Sequence, residues 1–450
     1  MLAQKPSGHI TGGLFFSLAS RARVHESLLI CYTSRRIASR VPGCLTTFRK
    51  AITTNVEDVL IIGAGPAGNN AALELAKRGY RVTLADRRYA IGDKLCTGIV
   101  GAECIRQFPI APEHIYRAAR SASVSAPGGQ AIHIGREEPQ AYIVDRVSYV
   151  ASYAQQAQEA GATYLLGHTV HSVEPGRDHI SAIVQNGAGP QEIKARSVVI
   201  AAGFGSRLTK SLGLGQVQDY AGGIQATVTT TGVDEIHVHL GKRFAPGFFG
   251  WLTPTTENRA LLGLMARKQN NEHFAELLAH LQEKGIVGEV VSGPSRWAIP
   301  LRPLKQAYRD RVLVIGDAAG QVKPTTGGGI YYSFLASRIA AEALHNALRR
   351  DDLTEDALSE YEREWKSVLG GELDSGYNAR RIYELLGDRQ IDFIIEALAS
   401  NGFVEKLLQS ESLGFDWHSG AIKEFLRWPV LQGVVRSLGG IAPKALSRIA

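Results

Sequence analysis

Asp58-Val59-Leu60-Ile61-Ile62-Gly63-Ala64-Gly65-Pro66-Ala67-Gly68 decides the architecture of this chain. The four residues after Asp58 are uninterruptedly apolar, the pattern of a strand covered on both faces. Asn69 to Arg78 then carries apolar and small residues at helical spacing, Gly79 stops that helix, and Tyr80 to Asp86 reads as a second strand. Each part has a task in holding a dinucleotide. Gly63 makes the tight turn, Gly65 lets the backbone reach a pyrophosphate, and Gly68 allows close packing of helix on strand. The helix N-terminus turns its positive end to the phosphates, and Asp86, 23 residues after Gly63, accepts from a ribose.

Two later segments select among dinucleotides. Ala195 to Gly203 is another buried-type strand ending in small residues. Arg311 to Ile315 is a third, running into Gly316-Asp317-Ala318-Ala319-Gly320, then Pro324-Thr325-Thr326-Gly327-Gly328-Gly329-Ile330 and a long helix to about Arg350. An acid at a strand tip followed by a glycine cluster that opens a helix is a second phosphate- and sugar-binding device. No second GxGxxG follows a strand. One dinucleotide is therefore held by segments about 250 residues apart, which fits an extended FAD better than a transient NAD.

Asp58 to Asp86, Tyr142-Ile143-Val144-Asp145-Arg146 and Gly316 to Ile330 resemble the geranylgeranyl reductase family of flavoproteins, over about residues 57–350. The resemblance implies the fold of the p-hydroxybenzoate hydroxylase group, non-covalent FAD, and hydrogenation of isoprenoid double bonds in lipids or pigment tails. It places Asp86 at the adenosine ribose and Asp317 at the ribityl and pyrophosphate region. Arg146 falls near the pyrophosphate, Gly329 and Ile330 near the isoalloxazine, and the strand around Val170 along the adenine. Ala67, Arg87, Gly203, Gly320 and Gly328 complete the expected cofactor set, with Cys96 and Thr97 from the loop after the second strand. The family's Cys-Gly pair is here Cys96-Thr97-Gly98. Its Pro-x-x-Tyr-x-Trp-x-Phe-Pro segment is here Pro246 to Pro254, with Phe249 for Tyr and Thr253 for Phe. Both departures bear on the substrate rather than on FAD.

Reduction of an isolated alkene needs a proton donor and the hydride of the flavin on one axis, in a dry slot. Phe248, Phe249, Trp251 and Pro254 are the expected slot, with sheet-core packing as the alternative. Cys96 is the candidate proton donor, or it simply packs. A redox pair of Cys96 with Cys104 is a rival. Seven residues intervene, ~12 Å of helical rise, too far for a bridge unless a loop brings them together. His237 and His239 alternate on a strand; with no third ligand in view, a solvent-facing pair is expected and no metal.

The expected fold class is α/β: a Rossmann-like FAD-binding domain, a discontinuous antiparallel-sheet substrate domain and a C-terminal helical region. Residues 57–213 form the first part of the FAD-binding domain, with a short substrate-domain insertion near 121–140. Residues 214–303 form the substrate domain, including an amphipathic helix over Glu272 to Glu283. Residues 304–350 complete the FAD-binding domain and 351–450 are helical. At 450 residues the chain is about three times the ~150-residue norm for one domain. No run of 18 apolar residues appears, so no membrane-spanning helix is expected.

The net charge of +7 does not point to nucleic acid. Residues 1–56 carry eight basic side chains and one acid, the whole excess, and the rest is neutral. This extension reads as an organelle transit peptide, as read-through from an upstream start, or as a disordered tail. Residues 421–450 carry five basic side chains and one acid, with an apolar face and Trp428. Such a segment lies on a membrane surface or docks on its own domain. Four cysteines suit a reducing compartment. The expected location is cytoplasmic, at the inner face of the membrane, with NAD(P)H or ferredoxin as electron donor. A monooxygenase of the same fold and a non-enzymatic prenyl carrier are the rival functions; the intact glycines, Asp86 and Asp317 argue against the carrier.

Overall fold

The computed structural model describes residues 56–92, 96–410 and 414–438. The extension read over residues 1–56 lies outside them save for Val56, as does the end of the basic tail, 439–450.

Strand Glu57–Ile62 lies inside a sheet of order Tyr308–Arg309, Val312–Val314, Gly189–Ile200, Glu57–Ile62, Val82–Asp86, Thr163–Leu166. All pairings along this path are parallel except the outermost, between Tyr308–Arg309 and Val312–Val314. Consecutive residues Val59, Leu60 and Ile61 are fully buried, so both faces of the sheet are covered. Helices Pro66–Lys77, Arg146–Glu159 and Ile330–Arg350 pack on one another. Antiparallel strands Thr169–Pro175 and Ile180–Asn186 extend from Gly189–Ile200 and bury Val173, Ile180, Ala182 and Val184 in the same core.

The glycines of the first turn are sterically required. Gly63 has φ +111°, and a Cβ on it would sit 2.4 Å from the Ala201 carbonyl oxygen. A Cβ on Gly68 would lie 1.8 Å from the Gly63 oxygen. The turn closes onto both the neighbouring strand and its own helix.

The second sheet runs Val287–Pro300, Tyr220–Thr230, Arg259–Ala266, Gly250–Pro254, Ile236–His239, Ser121–Ser125, Ala131–Gly135. The chain therefore enters it twice, first by a short excursion from the dinucleotide half. Every pairing is antiparallel except Ile236–His239 with Ser121–Ser125, where the excursion joins. Helix Asn270–Glu283 buries Phe274, Leu277 and Leu281 against this sheet.

His239 departs from the expected solvent-facing pair. The two histidine rings do share a face, 6.4 Å apart, but His239 is buried beneath Phe244, whose ring also meets His280 of the covering helix. Desolvation, then the neighbouring His237, lowers its pKa to about 4. Among the described residues no group of three or more His, Cys, Asp or Glu could hold a metal.

Beyond Arg350 the chain is helical, from Glu355–Trp365 to Pro429–Ser437. The predicted stripe of Ile391, Ile394 and Ile395 is buried with Leu426, Trp428, Leu431, Val434 and Val435, against Ala126 and Ile132 of the excursion. Trp428 stacks on Phe403 with centroids 4.8 Å apart. The apolar face of the basic tail thus docks on its own domain, while Lys423, Arg427 and Arg436 are exposed. No helix of the described residues is long and apolar enough to cross a membrane.

Candidate active site

A cleft of about 560 Å³ opens between the two sheets. Pro66, Arg146, Asp317 and Gly327 to Ile330 line it from the dinucleotide half; Phe249, Trp251, Met265 and Trp297 line it from the second sheet.

Two helices present their N-termini to this cleft. Gly65 precedes the first and Gly329 the long one, and neither N-terminus has a side-chain cap. Their first-turn N–H groups are therefore available to an anion or a carbonyl. A Cβ on Gly65 would meet nothing within 4 Å, so the approach to that turn is open. The two helices are locked together: the buried Asn70 amide donates to the Ser337 hydroxyl at 2.8 Å and the Phe334 carbonyl at 3.3 Å. Asn69 donates to the Ala64 and Val150 carbonyls and accepts from the Tyr164 hydroxyl. These asparagines were not anticipated. The available signal was an Asn-Asn pair inside an otherwise apolar first turn.

Asp86 is tied to the turn it serves: its carboxylate accepts from the N–H groups of Ala64 and Arg88, both at 2.7 Å. Each oxygen keeps a lone pair for a further donor. His168, next to strand Thr169–Pro175, donates its N–H to the Asp86 carbonyl, which brings the neighbourhood of Val170 beside this acid. Val170 and Arg87 do not line the cleft, and Arg87 is exposed. Arg146 is buried at the start of its helix and donates to the Gly92 carbonyl. Asp317 stands against the second device: a Cβ on Gly329 would lie 3.1 Å from its Oδ1. Gly203 makes a positive-φ turn after Gly189–Ile200. Gly320 serves packing, since a Cβ there would lie 2.3 Å from the Arg302 carbonyl oxygen.

The expected slot does not stay together. Phe249 and Trp251 line the cleft with rings 5.8 Å apart. Phe248 faces the other way, fully buried under the guanidinium of Arg380 at 3.9 Å from its centroid. Pro254 sits at the far end of its strand, paired with Ala260 and away from the lining. Phe248 lies in the turn that precedes strand Gly250–Pro254, and that turn aims it away from the cleft.

Cys96 lines the cleft, its sulfur accepting from the Gly98 N–H at 3.4 Å. Cys104 is fully buried in helix Ala102–Gln107, where desolvation pushes its pKa up. Both thiols are free, so the structure contains no Cys96–Cys104 disulfide. The loop is held by a residue the sequence did not single out, Gln225. Its Oε1 accepts from the Thr97 hydroxyl at 2.8 Å and the Trp251 indole at 3.2 Å, and its amide donates to the Cys96 carbonyl at 3.4 Å. Gln225 is 1 % exposed inside an apolar strand, and that polar interruption was its only sequence signal.

Two uncapped helix ends, a buried arginine and an acid around one elongated cleft fit FAD. The first helix end and Arg146 suit the pyrophosphate; the glycine loop before Ile330 suits the isoalloxazine.

Comparison with known proteins agrees with this geometry. The model of the lycopene cyclase protein family matches residues 58–387. The digeranylgeranylglycerophospholipid reductase of Methanocaldococcus jannaschii is 29 % identical over 362 residues, 77 % of this chain and 92 % of the relative. Digeranylgeranylglycerophospholipid reductase 2 of Methanothermobacter thermautotrophicus is 31 % identical over 355 residues, 76 % and 91 % of the two chains. Among solved structures, a geranylgeranyl bacteriochlorophyll reductase-like protein of Thermoplasma acidophilum superposes with a TM-score of 0.74 at 19 % identity, over 85 % of this chain and 99 % of that one. A halogenase in complex with FAD has the same fold, with a TM-score of 0.60 at 16 % identity over 87 % and 94 %. The lycopene cyclase model covers the flavoprotein fold across residues 58–387, and with a 31 %-identical reductase spanned over 91 % of its length this chain belongs to the geranylgeranyl reductase family of flavoproteins.

Proposed function

We infer that this protein is an FAD-dependent reductase that hydrogenates carbon–carbon double bonds of a geranylgeranyl chain in a lipid. One observation carries the reading. The cleft shares Leu240 and Phe249 with a second cavity of about 340 Å³, lined almost wholly by apolar side chains of the C-terminal helices, among them Ile382, Leu386, Ile394 and Phe425. A long unfunctionalised hydrocarbon gains by leaving water for such a compartment, at ~0.8 kcal/mol per buried CH₂, whereas a small aromatic has no use for its length.

Reduced FAD supplies the hydride. The protein positions the alkene: Phe249 and Trp251 form the wall facing the glycine loop, Gln225 fixes the indole, and the apolar lining excludes water. The electron donor belongs to the nicotinamide or ferredoxin class. The exposed Lys423, Arg427 and Arg436 give a docked tail that can rest on an anionic lipid surface.

The test is anaerobic. Residues 57–450 are purified, their flavin spectrum recorded, reduced with dithionite, and mixed with a geranylgeranyl lipid in micelles. Reoxidation with product two mass units heavier per bond supports the reading. A flavin that stays reduced until air is admitted, with oxygen then entering an added substrate, replaces it with a monooxygenase.

A further inference from the structure

The loop that carries the second device also carries a buried lysine. Lys323 is 4 % exposed and lines the cleft. Its backbone N–H donates to the Gly328 carbonyl, and its stem lies 3.6 Å from where a Cβ on Gly328 would be, so it backs the loop that suits the isoalloxazine. Its ammonium donates to the Phe415 carbonyl at 2.8 Å and stands 3.6 Å from Asp416 Oδ1. The Phe415 carbonyl is its one hydrogen-bond acceptor among the described residues, so even with a second N–H turned toward Asp416 a third remains for a group in the cleft.

Asp416 comes from a segment about 90 residues downstream and is built in with care. Oδ2 accepts from the Glu103 and Cys104 N–H groups at 3.0 and 3.2 Å. Gly101 makes room, since any Cβ there would lie 2.0 Å from that oxygen. Oδ1 is buried without a hydrogen-bond partner. The adjoining Trp417 indole donates to Glu103 at 2.6 Å, and the His418 ring meets the Thr325 hydroxyl at 2.6 Å. A buried ion pair with a loose contact and an orphaned oxygen contributes little to stability beside an apolar pair of similar volume. Stability alone therefore does not account for placing it in the wall of a reaction cleft.

The geometry points to Lys323 and Asp416 as the proton-supplying pair of the cleft, with Lys323 as donor and Asp416 as its positioning residue. This rests on the reductase reading and adds the half of the chemistry which the cofactor does not provide. Two C–H bonds replace the π bond of the alkene. One hydrogen arrives with the electron pair as hydride, from FAD reduced by a nicotinamide- or ferredoxin-class donor. The other leaves the Lys323 ammonium as a proton, and the neutral amine is reprotonated from water when product departs. Burial lowers the Lys323 pKa and raises that of Asp416, which makes the ammonium a better acid than a solvated one. The ionisable groups around the pair are Glu103 and Cys104 from the short helix, Tyr331 and Tyr332 from the long helix, Glu372, and His418.

Lys323→Met keeps the stem without the proton; Lys323→Arg keeps the charge on a group too basic to give it up. Both variants are expected to keep flavin content and spectrum while reoxidation of the dithionite-reduced protein by a digeranylgeranylglycerol lipid slows about 100-fold. A Lys323→Met rate within threefold of the parent overturns the assignment. A second readout needs neither substrate nor turnover. With ¹⁵N-labelled lysine, the Lys323 Nζ titration followed by NMR is expected to move to lower pH in Asp416→Asn, because the carboxylate favours the ammonium. An unmoved titration overturns the pairing by itself. Parent protein that the lipid fails to reoxidise refutes the reductase reading instead, and the titration still decides the pair.

Discussion

Replacing Gln225 by methionine tests whether this side chain fixes the wall of the cleft as the structure shows. Methionine matches the length of glutamine and accepts almost nothing, so the packing stays and the polar connections go. Oε1 receives two hydrogen bonds, from Thr97 and Trp251. Thr97 is only half-buried and turns to water, a loss of about 0.5 kcal/mol. The Trp251 indole is 6 % exposed, and its N–H, left unpaired, costs about 1–3 kcal/mol. Together the substitution should destabilise by about 1.5–3.5 kcal/mol. The assay is urea unfolding of Gln225→Met, Trp251→Phe and the double variant. Phenylalanine has no N–H to strand, so the cycle should show a coupling of about 1–2 kcal/mol. Coupling below about 0.5 kcal/mol, the limit of additivity for independent sites, refutes the anchoring of the Trp251 indole by Gln225.

Gly68→Ala places a methyl 1.8 Å from the Gly63 oxygen, so the protein should purify without flavin; a normal flavin spectrum would show that the turn can open at little cost. Phe249→Ala should raise the KM for a prenyl lipid at least tenfold with modest loss of stability, whereas Phe248→Ala should cost about 3–5 kcal/mol in urea unfolding; the reverse pattern would put the wrong ring in the cleft. His239 remains neutral in the folded state down to about pH 4, while the unfolded chain binds that proton below its ordinary value of 6.5. Its contribution is therefore full above that value and lost as pH falls toward 4. His239→Gln should flatten the fall in unfolding free energy, read from urea titrations, by about 2 kcal/mol near pH ~4.5, and parallel pH curves would refute the assignment.

Local signals were the legible ones. The strand, glycine turn, helix and second strand between Asp58 and Asp86 need only neighbouring residues to declare themselves, and so does the helix opened by Gly329. The inserted helix read over Glu272 to Glu283 is Asn270–Glu283. What the sequence hid depends on partners remote along the chain: Gln225 with Thr97, Asn70 with Ser337, Asp416 with the helix at Ala102–Gln107. Direction was hidden too. Phe248 and Phe249 look alike until the turn before strand Gly250–Pro254 sends the first under Arg380 and the second to the cleft. His239 reads as a surface residue until the helix and Phe244 cover it.

The order in which the chain closes its first core has a consequence for synthesis. Helix Pro66–Lys77 packs against Ile330–Arg350, and strand Gly189–Ile200 gains its second parallel neighbour only from Val312–Val314. At about 5–20 residues per second, the ribosome needs roughly 15–50 s to pass from the first helix to the end of the long one. During that interval Arg146–Glu159 can already pack on the first helix, but the face that Ile330–Arg350 covers has no partner. A nascent chain stalled before Ile330 is a substrate for chaperones, and the fold becomes self-sufficient only as that helix emerges.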